Sequence, residues 1–244
     1  MSAERFIFAS APPQSPDLQS PDLRRRARAH AALGDPARLA MADLLRLGDV
    51  APGELGRRLG LPSNLVAHHV KVLQEAGLVR RTRSEGDRRR SYLRLVDATF
   101  AGPPPAPLAG VDRVVFVCTR NSARSQLAAA LWRRCGPTPV ASAGTRPAAA
   151  VHPRAVALAR RRGLDIDPAR TAHVSAVVGS GDLVIAVCDN AHEELTGPAT
   201  ADLHWSVPDP VRVDTDAAFE AAFADIAGRV DRLAPTVTSG GHHA

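Results

Sequence analysis

Lysine is almost missing from this 244-residue chain: Lys71 is the only one, so arginine carries nearly all of the positive charge. With abundant alanine and proline, that scarcity reads as the mark of a GC-rich genome rather than of function. Cysteines number three, the first at position 118. So small and odd a count excludes a disulfide framework and points to individual thiols working in a reducing compartment. No apolar run reaches the roughly 20 residues that cross a bilayer, and the N-terminus lacks the basic-then-apolar order of a signal peptide. The expectation is a cytoplasmic protein with no membrane partner.

The charge is divided unevenly. Residues 1–100 hold 17 basic and 11 acidic side chains and residues 101–244 hold 14 of each, so the net +6 lies wholly in the first hundred. A basic half suits a polyanion, and a neutral half suits an enzyme acting on a small anion. After a serine- and proline-rich stretch expected to be a flexible leader over residues 1–20, the spacing predicts helices from Pro21 to Leu33, from Asp35 to Leu45 and from Pro52 to Gly60. Leu61-Pro62-Ser63 then forms a tight turn, with Ser63 as the cap of a helix from Asn64 to Gly77. This is helix-turn-helix spacing. Val66, Val70 and Leu73 share one face of that last helix, so Ser63, Asn64, Ala67, His68 and Lys71 are the candidate DNA contacts. Strands over Leu78–Arg83 and Arg90–Leu95 flank the turn Ser84-Glu-Gly-Asp87, and Arg81, Arg83, Arg88, Arg89 and Arg90 make the hairpin a basic wing for phosphates.

Over roughly residues 22–96 the chain resembles the ArsR-type winged-helix repressors, on Ala32-Leu-Gly-Asp-Pro-Ala-Arg-Leu39 and Ala67-His-His-Val-Lys-Val-Leu-Gln-Glu-Ala-Gly-Leu-Val79. The resemblance implies a homodimer on a double-stranded DNA operator, released by a metal or metalloid. Two features depart from it. No cysteine stands before Cys118, so direct metalloid sensing by this domain does not follow, and no metal site is expected. A proline-rich linker over residues 101–111 also replaces the closing helix.

Beyond the linker, Val114-Val-Phe-Val-Cys118-Thr-Arg-Asn-Ser-Ala-Arg124-Ser125 is an apolar run ending on a cysteine, then a short loop, then a helical pattern. A cysteine at the carboxyl end of a buried strand, before a loop that enters a helix, sits where backbone N–H groups converge and the helix dipole is positive. Such a field favours a thiolate. Thr119, Arg120, Asn121, Ser122 and Ala123 would cradle an oxyanion, the Arg124 fork would hold two of its oxygens, and Ser125 would donate to the Cys118 sulfur. Strands over Arg113–Val117, Val140–Ser142, Leu183–Val187 and Leu203–Trp205 alternate with helices, which predicts a parallel four-stranded sheet with helices on both faces. Cys118 and Cys188 end two of these strands and belong on one edge of the sheet. Cys135, on the helix between, is expected to be a buried structural thiol. Asp209, on the proline-stiffened turn Trp205-Ser-Val-Pro-Asp-Pro210, could act as general acid.

Together with Ser142-Ala-Gly-Thr-Arg-Pro147 and Gly163-Leu-Asp-Ile166, these segments resemble the low-molecular-weight tyrosine phosphatase fold in its arsenate reductase branch, over residues 112–234, followed by a flexible tail at 235–244. Ser125-Gln126 and Val211-Arg212 stand where phosphatases usually have Ser-Pro and aromatic residues. The resemblance implies that Cys118 attacks arsenate, that Asp209 protonates the departing oxygen, and that Cys188 displaces arsenite by forming a disulfide. The further relay cysteine of the three-cysteine reductases is Leu195 here. No bound cofactor is therefore expected, only an external thiol donor, either thioredoxin or a low-molecular-weight thiol. Two rival readings are a protein tyrosine phosphatase fused to the DNA-binding domain, and a non-catalytic arsenic-responsive repressor.

Overall fold

The computed structural model describes residues 19–96 and 107–239. The expected leader lies outside these residues except for Gln19 and Ser20. The first domain packs α1 (Pro21–Leu33), α2 (Pro36–Leu47), α3 (Pro52–Leu59) and α4 (Ser63–Glu75) against the antiparallel hairpin β1 (Val79–Arg83) and β2 (Ser91–Leu95). Prolines in the first turns of α1 to α3 occupy positions whose N–H would have no helical partner. The side chains of Ser20 and Asp35 cap α1 and α2. Ser63 is not a cap, correcting the expected turn: it is the first helical residue, and Pro62 precedes it without a side-chain hydrogen bond. Val66, Val70 and Leu73 turn into the core with Met41, Leu45 and Leu55.

The second domain is built on a parallel sheet in the order β5 (Val140–Gly144), β4 (Arg113–Cys118), β6 (Asp182–Ala186) and β7 (Leu203–His204). Helix α5 (Arg124–Cys135) follows β4, and α6 (Pro153–Arg161) and the single turn α7 (Val174–Val177) lie between β5 and β6. Helix α8 (Asp189–Glu194) follows β6, with α9 (Pro210–Val213) and α10 (Asp216–Leu233) after β7. Every residue of Val114–Val117 is fully buried, which explains an apolar run without alternation. Cys135 is exposed rather than buried, because it ends α5 with its sulfur turned back to the Leu131 carbonyl. Part of the expected linker and tail is also ordered: Leu108–Val111 (β3) pairs in parallel with Val237–Ser239 (β8), each satisfying backbone groups of the other.

The two domains pack directly on each other through a buried polar seam. Asp49, on the loop after α2, accepts hydrogen bonds from Ser206 N–H and from the Arg229 guanidinium of α10, each at 2.7 Å. The Leu47 carbonyl takes the indole N–H of the fully buried Trp205, and the Asp49 N–H donates to the His204 carbonyl. Arg229 also holds Asp225, which pairs with Arg94 of β2. Asp49→Ala would leave the buried Arg229 with Asp225 alone and Ser206 N–H without its acceptor, so it is expected to cost about 3 kcal/mol of stability. Urea unfolding of the full chain measures it, and a loss below about 1 kcal/mol would show that Arg229 is solvated some other way.

Candidate active site

Cys118 is the last residue of β4 and is buried, as is Cys188, which caps α8 just beyond the end of β6. The neighbouring strands are in register through Val117 and Ala186, so Cys188 follows Cys118 with an offset of one position at the same carboxyl edge of the sheet. Thr119 Oγ1 is 3.5 Å from the Cys188 sulfur and ties the loop after one thiol to the other.

The loop from Thr119 to Ala123 is shaped by where its carbonyls go. Those of Cys118, Thr119 and Arg120 accept from the N–H groups of Thr145, Arg146 and Ala148, and that of Ser122 accepts from His152. A carbonyl and the next N–H point in opposite directions across a trans peptide, so holding these carbonyls outward turns the following amides inward. Helix α5 then begins without a side-chain cap, leaving its first-turn N–H groups to the same concavity. Gly144 permits the close approach of β5, since a Cβ there would lie 2.9 Å from the Thr119 carbonyl oxygen and 3.0 Å from the Asn121 nitrogen.

Asn121 is the residue whose expected role changes most. It adopts a left-handed conformation, φ 49°, and its fully buried side chain is consumed within the protein. Its amide donates to Ser125 Oγ and Ser142 Oγ, while its carbonyl oxygen accepts from Gln126 and from Ala172 N–H. The side chain braces the loop and is not an oxyanion contact. Because Ser125 Oγ accepts from Asn121, its own hydrogen is free to point to the Cys118 sulfur 3.1 Å away.

Cys118, Arg120, Ser122, Ala123, Arg124 and Asp209 line a cavity of about 370 Å³, whose other walls include Ala148, Ala150, Val151 and Val211. The Arg124 guanidinium is buried, donates to the Val207 carbonyl at 3.0 Å and pairs with Asp209 at 3.1 Å. Burial opposes its charge, yet the Cys188 and Cys118 sulfurs, then Asp209 and Glu85, hold it above its ordinary value. Burial pushes the Cys188 thiol up, while Arg124 pulls the other way and the Ala191 N–H donates to the sulfur. Asp209 caps α9 through Val211 N–H and keeps its other oxygen on Arg124.

The DNA-contact candidates Ser63, Asn64, Ala67, His68 and Lys71 are exposed along α4, and Arg81, Arg83, Arg88, Arg89 and Arg90 are exposed on the hairpin. Two residues to which the sequence assigns no role meet beside this site. Glu85, at the hairpin tip, accepts from Asp209 N–H and lies 3.8 Å from Arg124, and Asp189 accepts from Glu85 N–H and from His204. No sequence signal marks them, since a glutamate in a turn and an aspartate after a cysteine are ordinary.

A strand ending on a buried cysteine, with a buried guanidinium and an aspartate lining the same cavity, stands at the carboxyl edge of a parallel sheet. The chain belongs to the low molecular weight phosphotyrosine protein phosphatase family, whose model matches residues 113–241. Residues 39–90 match the model of the MarR family. The chain is 31% identical over 134 residues to an arsenate reductase of Bacillus licheniformis, a match covering 50% of this chain and 95% of that protein. It is 30% identical over 131 residues to an arsenate reductase of Brevibacillus brevis, covering 50% and 94%. The crystal structure of an arsenate reductase from Archaeoglobus fulgidus superposes with a TM-score of 0.45 at 28% identity, over 50% of this chain and 98% of that one. Among the described residues no helix is long and apolar enough to cross a membrane.

Proposed function

We infer that the chain joins a winged-helix DNA-binding regulator of ArsR type to a thiol-dependent arsenate reductase. The observation that carries the reading is the pair of buried thiols at one sheet edge with the Arg124 charge acting on both. Cys118 attacks arsenic, the inward amides and Arg124 hold the remaining oxygens, and Asp209 protonates the oxygen that leaves. Cys188, as thiolate, then attacks the Cys118 sulfur. The electron pair of the sulfur–arsenic bond passes to arsenic, arsenite departs, and a Cys118–Cys188 disulfide remains. An external dithiol or low-molecular-weight thiol restores the two thiols. The cavity's walls of alanine, valine, Pro153 and His152 include no phenylalanine, tyrosine or tryptophan, and the His152 ring already stacks on Phe219.

The deciding assay compares arsenite formation from arsenate with p-nitrophenyl phosphate hydrolysis, using thioredoxin and small thiols as donors. Vigorous hydrolysis without arsenite would make the protein a phosphatase instead. For the first domain, Lys71→Ala and Arg83→Ala are each expected to weaken duplex binding and to lower the salt dependence by about one counterion. Anisotropy at several salt concentrations reads this, and unchanged slopes in both variants would remove α4 and the hairpin from the DNA interface.

A further inference from the structure

The hairpin tip, which a winged helix would present to DNA, is docked beside the oxyanion site, on α8 and on the turn that carries Asp209. Glu85 N–H donates to Asp189 at 2.8 Å, while Asp87 N–H and the Ser84 hydroxyl donate to Glu193, each at 2.7 Å. The hydroxyl of the buried Tyr92 donates to the same Glu193 carboxylate at 2.8 Å. Burial works to raise the Asp189 pKa, but its hydrogen bonds from His204 and Glu85 leave it lowered, so it stays a carboxylate. Two carboxylates of α8 thus occupy tip N–H groups that DNA phosphates would otherwise take. The fit is close, since a Cβ on Gly86 would lie 2.6 Å from a Glu193 carboxylate oxygen and 2.7 Å from the Asn190 amide oxygen.

The same docking places the Glu85 carboxylate 3.8 Å from Arg124, on the N–H of Asp209. Arg124 is the guanidinium an oxyanion needs, and it is already shared with Asp209. An arriving dianion brings charge of the same sign as Glu85 to the same cation. Resting on the reading of the Cys118 loop as an oxyanion site, we propose that the hairpin tip is a displaceable stopper of that site. Docked, Glu85 competes with the oxyanion for Arg124 and α8 withholds the tip from DNA. Undocked, the site gains anion affinity and the tip is free for phosphates. Both ligands select the undocked form, so oxyanion occupancy and DNA engagement by the wing favour each other, by equal factors in the two directions.

The test uses the full chain and inorganic phosphate, with chloride at matched ionic strength as control. Protection of Cys118 from alkylation reads occupancy, and hydrogen exchange at Glu85 and Asp87 amides reads docking. Saturating phosphate is expected to speed exchange at those two amides about fivefold or more. Glu85→Gln should tighten phosphate roughly three- to tenfold by removing the competing charge. Gly86→Ala, which leaves every charge in place but crowds the Glu193 carboxylate that holds the tip, should speed that exchange without ligand and tighten phosphate similarly. Duplex DNA at low salt should lower the phosphate concentration that protects Cys118. Phosphate that protects Cys118 while the tip amides exchange unchanged or more slowly would overturn the proposal and leave the oxyanion site standing. A Gly86→Ala chain with fast tip exchange and unaltered phosphate affinity would overturn it too, and bound duplex without effect would remove DNA from the linkage. Failure of phosphate to protect Cys118 at all would sink the oxyanion reading itself.

Discussion

Cys188→Ser is expected to lower arsenite production at multiple turnover by at least about 10³-fold, while Cys118 remains able to engage arsenate. Reduction of arsenic needs two electrons, and in the proposed mechanism the Cys118–Cys188 pair supplies them. A serine can accept the hydrogen bonds that Cys188 makes with Thr119 and Ala191 but cannot displace arsenic from sulfur. Arsenate should therefore still protect Cys118 from alkylation in the variant. Because burial holds the wild-type Cys188 thiol above its ordinary value, the attacking thiolate grows more abundant as pH rises, and turnover limited by this step should climb from neutral into the alkaline range. A serine variant that keeps more than a tenth of wild-type turnover would show that an external thiol attacks Cys118 directly and that Cys188 is only a buried strand-end residue.

Arg124→Lys should cost about 10²- to 10³-fold in kcat/KM for arsenate, although the positive charge is retained. The guanidinium spans two jobs at once, donating to the Val207 carbonyl through one nitrogen and pairing with Asp209 through another. An ammonium on a flexible stem cannot hold both and still present a planar fork to two oxygens. The loss should appear in phosphate affinity, read by Cys118 protection, as well as in turnover. A lysine variant with near-normal affinity would mean that the inward amides alone hold the anion.

Much of this was written along the chain. A run such as Val114–Val117 has no alternation because it is buried on both faces, and Cys118 falls where the run meets a loop and a helix pattern, so the strand, the loop and the place of the cysteine between them were legible together. Asn121 was legible as part of the loop but not as its brace, because its partners Ser142 and Ala172 are distant in sequence and are brought together only by β5 and the segment after Arg170. Cys135 was misjudged because helical position says nothing of which helix face a neighbour covers.

By itself, the order of residues determined two domains, the strand–loop–helix that makes a cysteine a candidate nucleophile, and a helix-turn-helix with a basic hairpin after it. Local propensity and periodicity are properties of neighbouring residues, and those suffice for such elements. Only the tertiary structure decided that the hairpin tip lies against α8 and the Asp209 turn, beside the Cys118 cavity. That placement rests on carboxylates of α8 meeting backbone N–H groups of residues 84–87, about a hundred positions away, and on the buried contacts of Asp49 with Arg229 and Ser206. Backbone amides carry no sequence signature, so a contact made by them becomes visible only when the two chain segments are in place.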